Sequence, residues 1–451
     1  MDKKWMIVYI GAIVLLPFLL LVLMRLESPS EILSPPGFYG QNAEIQKAFE
    51  ASIADKSDVE LKYPTSGEYR SAFVLYDIDA DGEEEALVFY SLKSEESTVR
   101  VNILDKVDNE WKSVYDEVGY GSEIISIEFN DFNGDGKEEF IICWSLYQAK
   151  TSKVMTVHTT RIIKNNVFEV SVLVNQVYSF MDIVDMDSDD YDEILVVWQD
   201  TTEPNLQKSY ASLFKMQKDG NMTQMGQKVV LDASISAYES LKLEKIDDGI
   251  AVAYIDAYKG ENSMITEVVW WDANKQQLVA PCLDSATLTN TSTFRSPAIP
   301  STDIDGDGKI EIPVIKQLPD KEEGVKGKET QIVMTTWSRI TPNGLVPKSY
   351  SFVNDTLMYA FMVPEQFKNS LLVYKHTETG VATYYSTLDG VTRDAPLFTL
   401  SVKHSSDDKD IGEFSFSVTK DDMVLYGTLT NAGKDFGLTN KKIEDNIIFF
   451  K

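Results

Sequence analysis

An acidic loop of one design occurs four times in this chain, and each copy runs directly into a β-rich stretch. The copies are Asp77-Ile-Asp79-Ala-Asp81-Gly82-Glu-Glu-Glu85, Asp131-Phe-Asn133-Gly-Asp135-Gly136-Lys-Glu-Glu139, Asp185-Met-Asp187-Ser-Asp189-Asp190-Tyr-Asp-Glu193 and Asp303-Ile-Asp305-Gly-Asp307-Gly308-Lys-Ile-Glu311. Oxygen-bearing side chains stand at loop positions 1, 3, 5 and 9, and three copies carry Gly at position 6. This spacing lets a short turn wrap a hard cation. Alternate residues point inward, Gly takes the sharp bend, and a backbone carbonyl near position 7 completes the shell. In the Asp185 loop Asp190 replaces the Gly, and Asp is among the few other residues that accept a left-handed backbone. One such loop alone reads as an ordinary acidic turn; four with the same offsets point to metal ligation.

The loops are not EF-hands, which need a bidentate Glu at position 12 and flanking helices. Position 12 is Val88, Ile142, Val196 or Val314. The flanks are rich in β-branched and aromatic residues, as in Ser71-Ala-Phe-Val-Leu-Tyr76 before the first loop and Glu85-Ala-Leu-Val-Phe-Tyr90 after it. They predict strand–loop–strand units.

Spacing turns these units into a fold. The leading Asp residues lie 54 apart from 77 to 131, 54 again to 185, and then 118 to 303. The last interval is close to two periods, with one loop eroded near Leu243-Glu-Lys-Ile-Asp247-Asp248-Gly249. Several short strands per repeat at this period predict a mainly β chain built as a β-propeller of four-stranded blades. In the first repeat the strands are expected near 71–77, 85–91, 97–104 and 110–115. Five repeats are clear, and seven is the alternative count.

With this repeated Asp-x-Asp/Asn-x-Asp-Gly/Asp-x-x-Glu loop the chain resembles the FG-GAP/VCBS repeat family, whose calcium-loop propellers include the integrin α-subunit head. The resemblance covers roughly residues 67–351. It lacks the Phe-Gly pair and Gly-Ala-Pro triplet that flank such loops, and Phe436-Gly437 lies outside the repeats. The resemblance implies up to four structural calcium ions that stiffen the blades while ligand is met elsewhere. The metal ligands it implies are Asp77, Asp79, Asp81 and Glu85; Asp131, Asn133, Asp135 and Glu139; Asp185, Asp187, Asp189 and Glu193; and Asp303, Asp305, Asp307 and Glu311.

The address is read at the N-terminus. Lys3 and Lys4 precede Met6–Met24, a stretch without a charge. At 1.5 Å per residue a helix of that length spans roughly 28 Å, close to a bilayer core. Residues 1–25 are therefore expected to form an uncleaved transmembrane signal-anchor, with the body extracytoplasmic; a cleaved signal peptide is the alternative. Residues 26–40, rich in Pro and Ser, read as a linker. An amphipathic helix with Ile45, Phe49 and Ile53 on one face follows, and is expected to pack on the first blade. The whole chain carries 71 Asp and Glu against 42 Lys and Arg, a net charge of −29. That balance argues against nucleic acid as a partner.

Cys143 and Cys282 are the two cysteines, and the three histidines, His158, His376 and His404, are scattered. Two buried free thiols are expected, with no support for zinc. Beyond the propeller of residues 41–351, residues 352–451 read either as further blades or, the favoured reading, as a small α+β domain. Its strands are expected near 357–363, 370–375, 381–385, 396–402, 413–418 and 423–429. A closing helix from Asn440 would turn Ile443, Ile447 and Ile448 inward. The segments Phe361-Met-Val-Pro-Glu-Gln-Phe367 and Pro396-Leu-Phe-Thr-Leu resemble a C-terminal module found beside VCBS-type repeats in Gram-positive surface proteins.

Together these features point to a membrane-anchored, calcium-stabilised binding or scaffold module for a protein or glycan on a bacterial cell surface. The alternative is a polysaccharide lyase or hydrolase on a propeller. Such an enzyme needs a carboxylate pair or a base in a cleft, and every conspicuous carboxylate cluster here already belongs to a metal loop. Trp270-Trp271 and Tyr384-Tyr385 are candidate sugar platforms, though strand residues of this kind more often belong to a core.

Overall fold

Alternating and continuous apolar runs give a mainly β protein of several antiparallel sheets in this computed structural model. The structure describes residues 41–95, 97–146, 153–163, 167–200, 208–246, 249–315, 329–388, 395–402, 414–420 and 423–450. The expected membrane anchor and the linker lie outside the described residues, as do Asp247 and Asp248 of the eroded turn and His404. Among the described residues no helix is long and apolar enough to cross a membrane.

Each of the first four sheets follows one sequence repeat. The first contains Val59–Leu61, Phe73–Tyr76, Glu85–Leu92, Arg100–Val107 and Glu110–Val118. The second contains Glu123–Asn130, Glu139–Ser145, Lys153–Ile163 and Val167–Tyr178. The third runs through Phe180–Val184, Glu193–Asp200 and Lys208–Met216, with two short edge strands, and the fourth through Ala237–Lys245, Ala251–Tyr258, Met264–Asp272 and Gln277–Val279. In each sheet the strand that follows the acidic loop or the eroded turn is buried along most of its length, as in Glu85–Leu92 and Ala251–Tyr258. A strand covered on both faces reads as a continuous apolar run, which is why these segments do not alternate.

By contact the chain divides into two compact units. One takes the residues up to Phe129 with Lys137–Lys150 and Thr156–Val172; the other takes Asn130–Gly136, Thr151–Met155 and Leu173–Lys451. In the first unit the helix Gln41–Ser52 lays Ile45 and Phe49 on the first sheet, against Phe73, Val88, Tyr90 and Leu104. Phe49 meets the Tyr90 ring edge-on at 5.0 Å. Trp144, fully buried, fills the space above Gly119 and Gly121, where a Cβ would come within 2.4 Å and 2.7 Å of it.

In the second unit the strand Gly344–Asn354 runs across the expected boundary at 351/352. It pairs with Tyr359–Met362, and that strand with Ile447–Phe449, in one sheet with Ile312–Ile315 and Met334–Thr341. Glu329–Ile332 opens a separate six-stranded sheet with Leu371–His376, Ala382–Ser386, Phe398–Val402, Met423–Leu429 and Phe416–Lys420. The expected closing helix is corrected here. It covers Asn440–Glu444 with Ile443 buried, but Ile447 and Ile448 lie on a strand. Asn446 returns its amide to the Lys442 carbonyl (2.7 Å), and the β-branched residues after it find strand partners at Ala360 and Phe361.

Candidate metal centre

The antiparallel ladder brings both ends of each loop together. Tyr76 pairs with Glu85, Val184 with Glu193 and Thr302 with Glu311, so positions 1 and 9 meet at the mouth of a hairpin. Each closing Glu is fully buried. One of its oxygens accepts the backbone N–H at position 2: Ile78 to Glu85 at 2.9 Å, Met186 to Glu193 at 2.9 Å, Ile304 to Glu311 at 3.1 Å. The position-1 Asp gathers the N–H groups that follow. Asp303 accepts from Gly306, Asp307 and Gly308 at 2.7, 3.0 and 2.8 Å. The backbone is left-handed at position 6, Asp190 included, and also at position 4, where Ala80 and Ser188 take φ of 62° and 63°. The bend at position 4 carries no signal in those residue types.

This folding gathers carboxylates into three groups able to hold a metal ion: Asp77, Asp79 and Glu85; Asp185, Asp187 and Glu193; Asp303, Asp305 and Glu311. The position-5 residues Asp81, Asp189 and Asp307 stand outside these groups, each accepting a backbone N–H two residues on. Among the described residues the Asp131 loop forms no such group. There Asp131 accepts from Asn133, Gly134, Asp135 and Gly136, Asn133 donates its amide to Asp135 (3.0 Å), and Glu139 accepts from Thr159 Oγ1 (3.0 Å).

The donor set suits a hard cation, because every converging atom is a carboxylate oxygen. The Asp77 loop gives the sharpest sign of fit. Glu85 is fully buried, and its Oε1 has no hydrogen-bond partner. A buried carboxylate oxygen left bare is costly unless an ion completes it. Burial pushes the Glu85 carboxyl up to about 8, with the charges of Asp79, Asp105 and Asp81 adding to the effect. Burial also raises Asp79, with Asp81 as the next cause.

Three charged residues absent from the sequence motif face these loops. The register sets Leu104 opposite Ala86, Phe214 opposite Ile194 and Ser338 opposite Ile312. The next residue along is Asp105, Lys215 or Arg339, each beside its loop's closing Glu. Lys215 Nζ lies 2.5 Å from Glu193, 2.8 Å from Asp187 and 2.9 Å from Asp189. Arg339 donates Nε to Glu311 at 2.8 Å and Nη2 to Asp307. Burial raises Glu193 and Glu311 too, but Lys215 and Arg339 pull them back.

Elsewhere Cys143 and Cys282 are buried and not joined in a disulfide, and burial pushes Cys282 up to about 12. His158 is buried against Phe140, and burial pulls its imidazole down to about 3. Trp270, Trp271, Tyr384 and Tyr385 are all buried and belong to cores. No protein-family model matches the chain, and no curated protein is significantly similar to it.

Proposed function

We propose that this chain is a membrane-anchored, extracytoplasmic β-propeller of the FG-GAP/VCBS type, stabilised by calcium, that serves as a binding or scaffold module for a protein or glycan. The observation that carries this reading is the repeated hairpin in which carboxylates converge over a buried Glu tied to the loop's own backbone. Charge arranged in this way holds a loop in shape. A catalytic cation instead needs exchangeable positions facing a substrate cleft.

Contacts between successive repeats support the blade arrangement. In one unit Tyr76, just before its loop, donates its hydroxyl to Glu138 of the next repeat. In the other, Asn130 reaches Asp192 at 3.4 Å, and Glu244 accepts the Ile310 N–H at 2.8 Å. Each link joins a strand end to position 8 of the loop one repeat onward, as in blades set side by side.

Glycan and protein arrays probed with the full chain, with and without calcium, test the proposal. Retention of one protein or glycan class in calcium is the expected result. Release of shortened glycan products would replace the binding reading with an enzymatic one.

A further inference from the structure

The loops share a backbone but not a charge balance. Around the Asp77 loop stand Asp77, Asp79, Asp81 and Glu85 with Asp105 as a fifth carboxylate, whose own carboxyl is raised by burial and by Asp81. Lys106, the nearest cation on that strand, turns to Glu83 instead (2.6 Å). Glu85 Oε1 remains without a partner inside the group.

The Asp185 loop differs. The Lys215 ammonium touches three of its carboxylates, and only 17% of its side chain is exposed. Calcium binds carboxylate oxygens at about 2.3–2.6 Å, so an ion on Asp187 and Glu193 would need nearly the volume that this ammonium fills. Two positive centres so close repel strongly in a partly buried site. Asp187 Oδ1 has no partner either, yet the ammonium 2.8 Å from Oδ2 already neutralises that carboxylate. In the Asp303 loop the Arg339 guanidinium does the same work across Glu311 and Asp307, with Lys348 a further 3.8 Å from Asp307.

We infer that the residue facing the closing Glu across the hairpin selects which loops take calcium. Lys215 and Arg339 supply the cation of the Asp185 and Asp303 loops from within the polypeptide, whereas Asp105 leaves the Asp77 loop to a divalent ion. The inference rests on the reading of these loops as calcium sites and narrows it. Of the three carboxylate groups, it makes two independent of external calcium and leaves the Asp77 group to respond to it.

Reciprocal exchange tests it. Calcium bound per full chain is measured by equilibrium dialysis and elemental analysis, with a melting curve to confirm folding. Asp105→Lys should lose one calcium per chain and keep its fold, because the new ammonium can do for Glu85 what Lys215 does for Glu193. Lys215→Thr should gain one calcium per chain, and Arg339→Thr gives the same readout should Lys215→Thr not fold. Unchanged calcium in folded exchange variants of a calcium-binding parent would overturn the inference and leave the proposed function standing. A parent chain that binds no calcium would overturn both.

Discussion

Replacing Asp256 by Ala should destabilise the unit that contains it by about 3–5 kcal/mol, the usual cost of leaving one partner of a buried ion pair alone. Asp256 and Arg295 are both fully buried, with Nη2 2.9 Å from Oδ1. The carboxylate also accepts from Thr266 Oγ1 (2.6 Å) and from the Ser301 N–H and hydroxyl (both 2.9 Å). Removing it strands a guanidinium that burial already pulls down to about 10. Denaturant unfolding of Asp256→Ala measures the loss. A change below about 1 kcal/mol, the scale of an exposed pair, would mean that Arg295 reaches water.

Trp144→Ala should cost a similar amount, about 3–5 kcal/mol, through the cavity it opens in the other unit. The indole is fully buried over two glycines that cannot close the gap, and it donates Nε1–H to Thr156 Oγ1 at 2.9 Å. Trp198 and Trp337 repeat this bond to Ser212 (3.4 Å) and Ser351 (2.8 Å). Denaturant unfolding again gives the readout. Loss under about 1 kcal/mol would show that the sheet collapses onto the missing ring.

Much of the strand order and the loop design was legible because both are local signals. The offsets of Asp77, Asp79 and Glu85 determine that one hairpin can gather them, and the apolar run after each loop marks a covered strand. What escaped depends on register across a longer stretch. Lys215 and Arg339 lie 22 and 28 residues beyond the Glu they face, and no short motif connects them. Ile443, Ile447 and Ile448 share helical spacing, which predicts a helix where the structure has the strand Ile447–Phe449. Their partner strand at Tyr359–Phe361, far back in the chain, decided otherwise. The inequivalence of the loops was hidden for the same reason, since it resides in the facing strand.

The melting temperature of the full chain, followed from pH 6 to pH 9 in chelator and in about 1 mM calcium, tests the central claim most directly. Glu85 has its carboxyl raised in the folded state to about 8. The stability it contributes in the ion-free protein is complete below its ordinary value near 4.5 and is lost as pH rises through about 8. In chelator the melting temperature should therefore fall across this range. Glu267, outside the loops and raised to about 7 by burial, adds the same slope to both curves, so the difference between the curves isolates the ion. A site with a dissociation constant of about 10⁻⁴ M gains about 1.4 kcal/mol at 1 mM calcium, worth about 3–6 °C in a unit of this size. The account predicts curves that separate by that amount and diverge as pH rises. Curves that superimpose at every pH would contradict it and make the loops ordinary acidic turns.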